Sequence, residues 1–210
     1  MSRFLTTERL RSFSDSVLLV AITILAYNLV PPSIINGKLS DVEIQSFVDN
    51  VYGLISSFFV ISIFWVLYTK ILDYMREPDE IVILTSLVFF ILVLLIPVFT
   101  LAQFQYGNLR SVESLALLQI INGLLLILLW TYLLRHKKSL MTQEEELSMT
   151  DKRYMYSRLA LIPCLYIIAI AIALFVGIRI ATIFPIIIVP AMILLWKVFG
   201  SESVDSQMTE

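Results

Sequence analysis

Residues 81–109 read IVILTSLVFFILVLLIPVFTLAQFQYGNL and contain no charged side chain. A helix of this length can cross the hydrocarbon core of a bilayer, which needs about 20 mainly apolar residues. Five further windows before and after this stretch are also free of charge. Together the windows cover 16–37, 50–69, 81–109, 114–134, 159–178 and 180–196. We therefore expect six membrane-spanning segments.

Helices are the expected form of these segments, because lipid offers the backbone no hydrogen-bond partner and a helix satisfies its own N–H and C=O groups. A membrane β-barrel would instead show segments of about ten residues with alternating hydrophobicity. Runs such as Leu124–Trp130 are apolar throughout and do not alternate. The composition agrees, since 59% of the residues are hydrophobic and only 15% are charged. The sequence predicts an all-α, polytopic membrane protein.

The expected architecture is a single six-helix transmembrane domain that covers residues 1–210. The first apolar segment is too long for a signal-peptide core and has no small-residue cleavage site, so we expect it to be retained as helix 1. The predicted spans are approximately 12–30, 46–69, 81–103, 113–134, 156–177 and 179–199.

Lysine and arginine residues divide unevenly between the two sides of the membrane. Twelve of the 15 fall at the N-terminus, in the loops after helices 2 and 4, and in the C-terminal tail. The other side has only Lys38, Arg110 and Arg179. Because basic residues concentrate in cytoplasmic loops, we expect an integral multi-pass protein with both termini in the cytoplasm. The net charge of −2 gives no indication of a nucleic-acid partner.

Enzyme chemistry is not expected, because the residues that it needs at membrane depth are missing. His136 is the only histidine and lies in the basic segment Arg135–Lys138. The second to sixth charge-free windows hold no carboxylate pair and no zinc-ligand set, and the chain has no glycine-rich phosphate loop. The lack of mid-span charges also argues against an ion-coupled pump. We expect no cofactor and no metal site.

Helix 1 carries more polar groups than the other spans. Ser16, Val20, Thr23 and Tyr27 are spaced by four, three and four residues, so they share one helical face. A stripe that mixes hydroxyls with apolar groups either lines an aqueous pore or packs between helices. Both interpretations remain open at this point.

The polar start of helix 1 also has a purely structural interpretation. Ser12-x-x-Asp15 resembles a capping box, in which side chains satisfy the free N–H groups of a helix start. Arg11 and Asp15 have the spacing of an i,i+4 ion pair. From the residues alone, stabilisation of the helix start explains this segment as well as a functional role does.

The segment Arg9-x-x-x-Phe13-Ser14-Asp15, followed by a hydrophobic helix with Thr23 and then Pro31, resembles the first helix of one channel family. This family is the lysosomal potassium channel, transmembrane protein 175, with its bacterial homologues. The motif covers roughly residues 9–31, and the six-span architecture covers the whole chain. A single Phe-Ser-Asp motif resembles the prokaryotic six-helix form of the family.

The resemblance implies a homotetramer in the lipid bilayer, in the plasma membrane of a prokaryote, with four copies of helix 1 around a central pore. Potassium, and to a lesser extent other monovalent cations, would permeate. The family's hydrophobic constriction, five residues after the motif aspartate, corresponds to Val20. The threonine one turn further on is Thr23, and the next layer, usually leucine, is Tyr27 here. Ile24 faces partly inward and would share the narrow layer.

The implied mechanism needs no catalytic group. Val20, Ile24 and Tyr27 would form the pore constriction, which gates by dewetting, and Thr23 and Ser16 would form a polar layer. The structural motif at the pore mouth would comprise Arg9, Phe13, Ser14 and Asp15, and tie helix 1 to its neighbours through charge-assisted hydrogen bonds. The alternative is a non-conducting membrane scaffold or small-molecule carrier, in which residues such as Asn122 and Gly123 serve only close helix packing.

Overall fold

The computed structural model describes residues 6–27, 29, 31–32, 34–35, 38–136, 140–141, 149–178 and 180–181. These residues form five long helices: α1 (Thr7–Tyr27), α2 (Asp41–Asp73), α3 (Glu80–Tyr106), α4 (Leu109–Arg135) and α5 (Met149–Phe175). All five are long and apolar enough to cross a membrane. The all-α expectation is confirmed for these helices. The predicted sixth span, 179–199, lies outside the described residues except for positions 180 and 181.

The connection between α1 and α2 contains a small element that the sequence did not predict. Two antiparallel strands of two residues each, β1 (Ile34–Ile35) and β2 (Lys38–Leu39), pair with Ile34 opposite Leu39 and Ile35 opposite Lys38. The description as all-α therefore applies to the membrane-spanning helices and not to this connection.

A two-residue turn joins α3 to α4. Gly107 ends α3 in the left-handed conformation, with φ of 53°, and its N–H donates to the carbonyl of Gln103 at 3.0 Å. Glycine is favoured there because it has no Cβ to clash. Asn108 then begins α4, since its Oδ1 accepts from the backbone N–H of Ser111 at 2.9 Å. The two helices are thereby forced into neighbouring, antiparallel positions.

Asp79 has two roles at the opposite end of the same helix pair. Its Oδ1 accepts from the N–H of Val82 at 2.9 Å and so caps α3. Its Oδ2 accepts from the hydroxyl of Tyr132, near the end of α4, at 2.6 Å. One carboxylate therefore both begins α3 and fixes it to α4.

Aromatic rings fill the core where α2 packs on α3. Tyr68 stacks on Phe89 with ring centroids 5.4 Å apart and meets Phe90 edge to face at 5.1 Å. Phe64 also contacts Phe89, at 5.9 Å. The hydroxyl of Tyr68 donates to Ser86 Oγ at 3.0 Å, so this buried phenol is hydrogen-bonded. The first helix, α1, packs on the surface of this pair of helices.

Candidate functional site

The first helix has one buried face and one exposed face. Its buried residues recur every three or four positions and pack on α2 and α3: Leu10, Ser14, Val17, Ala21 and Leu25. All the residues of the predicted pore stripe are exposed in the single chain, including Ser16 and Thr23. Val20 is 50%, Ile24 is 37% and Tyr27 is 87% exposed. The stripe therefore lies on the surface that α1 turns away from its own bundle.

The hydroxyls of Ser16 and Thr23 in the stripe are oriented by hydrogen bonds within the helix. Ser16 Oγ donates to the carbonyl of Ser12 at 2.9 Å, and Thr23 Oγ1 donates to the carbonyl of Leu19 at 2.7 Å. A hydroxyl has one proton but two lone pairs. Because the proton is used inside the helix, each oxygen presents mainly acceptor capacity to the outside. Groups of this kind interact with cations and with water protons.

The exposed face of α1 differs in chemistry from that of α3. Between residues 81 and 98 every exposed side chain of α3 is aliphatic: Ile81, Leu84, Leu87, Val88, Ile91, Leu95 and Val98. A surface of that composition suits lipid tails. Over a similar length α1 exposes Ser12, Asp15, Ser16 and Thr23 among its apolar groups. Of the five described helices, α1 is both the least apolar and the least buried.

The motif aspartate is bonded to α2. Asp15 Oδ1 accepts a hydrogen bond from the indole Nε1 of Trp65 at 2.7 Å. A hydrogen bond to a carboxylate is stronger than one between neutral groups, and the indole N–H can only donate. The bond fixes both the rotation of α1 and its distance from α2 at the level of this residue, five positions before Val20.

The other motif residues have distinct environments. Phe13 contacts Phe90 of α3 edge to face, with ring centroids 5.6 Å apart. Ser14 is completely buried, and its hydroxyl donates to the carbonyl of Arg11 at 2.7 Å. Arg9 is exposed on the first turns of α1. Phe13, Ser14 and Asp15 thus contact or face the α2–α3 surface, whereas the stripe from Ser16 to Tyr27 faces outward.

Two sequence-based interpretations of this segment are wrong. The capping box at Ser12 and Asp15 does not exist, because α1 already begins at Thr7 and both residues lie inside the helix. The helix start is satisfied instead by Thr6, whose Oγ1 accepts from the N–H of Arg9 at 3.3 Å. The proposed Arg11 to Asp15 pair is replaced by a bond from Arg11 Nη2 to Asp73 Oδ1 of α2, at 2.6 Å.

Tyr74 is a titratable residue near the site, and its surroundings indicate a structural role. Beyond the end of α2, burial, together with the nearby carboxylates of Asp151 and Asp73, raises the pKa of Tyr74 above its ordinary value. Its ring packs edge to face on Trp130 at 5.3 Å. A neutral phenol in this position serves packing. In the part of the chain that the structure describes, no three His, Cys, Asp or Glu side chains are grouped to hold a metal ion.

Trp65 and Asp73 are the functional-site neighbours that the sequence did not reveal. Both lie on α2, about 50 to 60 positions after their partners on α1. A tryptophan in an apolar span is normally interpreted as packing, and nothing in the spacing of α2 distinguishes its N–H. Only the packing of α2 on α1 identifies these partners.

The fold is similar to that of a lysosomal potassium-selective channel TMEM175 homolog from Chamaesiphon minutus, known from a crystal structure. The TM-score is 0.72 at 19% sequence identity, and the similarity covers 90% of this chain and 96% of that chain. Both this structure and the family model that matches residues 9–97 describe ion channels, so the expectation that the chain is not an enzyme is confirmed.

A family model also matches part of the sequence. Residues 9–97 match the model of the family described as endosomal/lysosomal potassium channel TMEM175. This segment includes the motif of α1 and also Trp65, the partner of its aspartate. The resemblance to this potassium channel family is thereby confirmed. No curated protein sequence matches the chain.

Proposed function

We propose that the chain is one subunit of a potassium-preferring cation channel, a homotetramer whose central pore is lined by the exposed face of α1. The observation that carries this proposal is the combination found in α1. One face packs on α2 and α3, and the other exposes the stripe Ser16, Val20, Thr23 and Tyr27. A single helix cannot enclose a pore, so several copies must meet at this face.

Val20 is the proposed narrow layer, with Ile24 and Tyr27 on the same side of the helix. A ring of apolar side chains around a narrow water column closes it by dewetting. An ion that crosses must lose part of its hydration, and potassium holds its water less tightly than sodium. The Thr23 oxygens, whose protons are bonded to Leu19 carbonyls, would replace some of the lost water.

Asp15, Phe13 and Ser14 are proposed to hold the pore helix in place and not to contact the ion. The Asp15–Trp65 hydrogen bond and the Phe13–Phe90 ring contact tie α1 to two different helices. These contacts would set the distance of Val20 from the pore axis. Arg9 belongs to the same motif and is assigned the same role through the family resemblance.

The proposed topology follows the distribution of basic residues. We place the whole chain in one six-span domain of a prokaryotic plasma membrane, with both termini in the cytoplasm. The N-terminal end of α1 would then be the cytoplasmic mouth of the pore. Arg11, Asp73 and Asp79 lie at this same end of the bundle.

Ion flux into liposomes tests the proposal. The purified chain is reconstituted, and uptake is measured under a potassium gradient and then under an equal sodium gradient, with protein-free liposomes as the control. We expect passive potassium flux that exceeds sodium flux. A correctly assembled protein that conducts neither ion would contradict the channel proposal and favour the scaffold or carrier alternative.

A further inference from the structure

The connection between α2 and α3 pairs with the segment that follows α4. Met75 and Met141 form an antiparallel β-bridge, and beside it the N–H of Arg76 donates to the carbonyl of Leu140 at 2.7 Å. Met75 and Leu140 are each only 4% exposed. The N–H of Leu140 in turn donates to the carbonyl of His136, at the end of α4, at 3.2 Å. Two connections that are distant in sequence therefore share a backbone hydrogen bond and bury apolar side chains.

The same connection also holds the first residue of α1. The carbonyl of Arg76 accepts a hydrogen bond from Thr7 Oγ1 at 2.9 Å, and Thr7 begins α1. The N–H and the carbonyl of Arg76 thus bond to two different parts of the chain. Only the φ and ψ rotations of this one residue separate the two groups. A displacement of Leu140, the partner of the N–H, therefore changes the position of the carbonyl that holds Thr7.

A second contact at this end of α1 restrains the helix less narrowly. Arg11 and Asp73 form an ion pair, but their side chains are 41% and 55% exposed. Exposed ion pairs between long side chains contribute little, because water screens the charges and the side chains lose freedom when they pair. The Thr7 bond ends on the backbone of Arg76 instead. It is the contact through which the connection positions the first turn of α1.

We propose that the bridge at Met75 and Met141 is a conformational device that couples the segment after α4 to the start of α1. A displacement of Leu140 opens the bridge, moves Arg76 and releases Thr7. Connections of this kind open locally at a lower free energy than the core of a bundle, so the movement needs no unfolding. The coupling is a property of the fold alone; that it reaches a pore rests on the proposed function.

The geometry of the bridge allows it to be closed covalently. Because the bond from Arg76 to Leu140 lies beside the bridge, Met75 and Met141 are a non-hydrogen-bonded antiparallel pair. The Cα atoms of such pairs are about 4.5 Å apart, which lies within the range of about 4.4–6.8 Å that a disulfide spans. The variant Met75→Cys with Met141→Cys is therefore prepared in a Cys164→Ser background.

Hydrogen exchange of the full chain in lipid nanodiscs tests the coupling. The exchange of amides 9–13, at the start of α1, is compared between the oxidised and the reduced form of the double-cysteine variant. The two single-cysteine variants, treated in the same way, are the control. We expect reduction to speed the exchange several-fold in the double variant alone. Equal exchange in both forms would overturn the proposal, and so would failure of the two cysteines to form a disulfide.

Variants of Thr7 test whether the movement passes through Arg76. Valine has a similar shape but no proton to donate, whereas serine keeps the hydroxyl. With Thr7→Val added to the double-cysteine variant, we expect the exchange of amides 9–13 to be the same in the oxidised and reduced forms. With Thr7→Ser the difference should persist. A difference that persists with Thr7→Val would overturn the assigned route.

A truncation without cysteines supplies an independent measurement. Leu140→Ala loosens the bridge, and Leu115→Ala is the matched control, because Leu115 is 2% exposed in the opposite half of α4. We expect faster exchange of amides 9–13 in Leu140→Ala and not in Leu115→Ala. An equal increase in both variants would show general loosening of the bundle and would contradict the coupling.

Discussion

Because Trp65 and Asp15 are hydrogen-bonded, substitutions at these two residues should have non-additive effects on the free energy of unfolding. The indole Nε1 lies 2.7 Å from the carboxylate Oδ1. Hydrogen bonds to charged groups contribute about 1.5–3 kcal/mol, and exposure of both side chains in the single chain favours the lower end, about 1.5 kcal/mol. We expect Trp65→Phe and Asp15→Ala each to lower the free energy of unfolding. The double variant should be about 1.5 kcal/mol less destabilised than the sum of the two.

Unfolding in mixed detergent and SDS micelles, followed by circular dichroism, supplies the four free energies. The control cycle pairs Asp15→Ala with Trp130→Phe, because Trp130 Nε1 has no partner among the described residues. That pair should be additive within about 0.5 kcal/mol. The reasoning fails if the Trp65 cycle is equally additive. The proposal that Asp15 holds the helix and does not select ions fails if Asp15→Ala assembles normally but greatly changes the ratio of potassium to sodium flux.

Topology, assembly and helix packing each have a direct test. In a cysteine-free background, Tyr106→Cys should react with a membrane-impermeant thiol reagent outside intact cells, and Arg76→Cys should not; the reverse result would invert the orientation. Native mass spectrometry should give four copies of the chain, and a monomer or dimer would refute the tetramer. Gly123→Ala should destabilise by about 1–3 kcal/mol, because a Cβ there lies 2.6 Å from the rigid Pro163 ring. Gly53→Ala, with 3.3 Å to a movable side chain, should cost less, and an equal loss would contradict this account.

The helical spans were predictable because charge is excluded from lipid. The predicted span 81–103 lies within α3, Glu80–Tyr106, which begins one residue earlier and ends three residues later. A search for charge-free windows locates the membrane core and not the helix ends. The span predicted at 46–69 is therefore shorter than α2, which extends over Asp41–Asp73. Charged residues at the helix ends remain helical. A search for charge-free windows cannot detect these turns.

Capping residues carry a signal that better defines two of these ends. Asp79 precedes the long apolar run of α3, and Asn108 follows Gly107 at the start of α4. Both residue types are favoured at helix starts, and a search for them would have located both boundaries. The error at α1 had a related cause, since the helix was assumed to begin near Ser12 although it begins at Thr7.

Periodicity was sufficient to group the stripe of α1 but not to find what holds it. The spacing of Ser16, Val20, Thr23 and Tyr27 follows from helical geometry alone, and all four are exposed in the structure. The partner of Asp15 depends on how α2 packs against α1, which local spacing does not specify. Trp65 could therefore be identified only from the fold.

Flux through Val20 variants tests most directly whether the exposed face of α1 lines a pore. Val20→Asn should wet the narrow layer, raise cation flux per assembled tetramer and weaken ion discrimination. Val20→Phe should strongly reduce flux per tetramer, because the larger ring fills the constriction. Normalising flux to the oligomer peak in detergent separates these effects from changes in protein yield. Opposite changes in the two variants are the predicted result, and unchanged flux in both would contradict a pore lined at Val20.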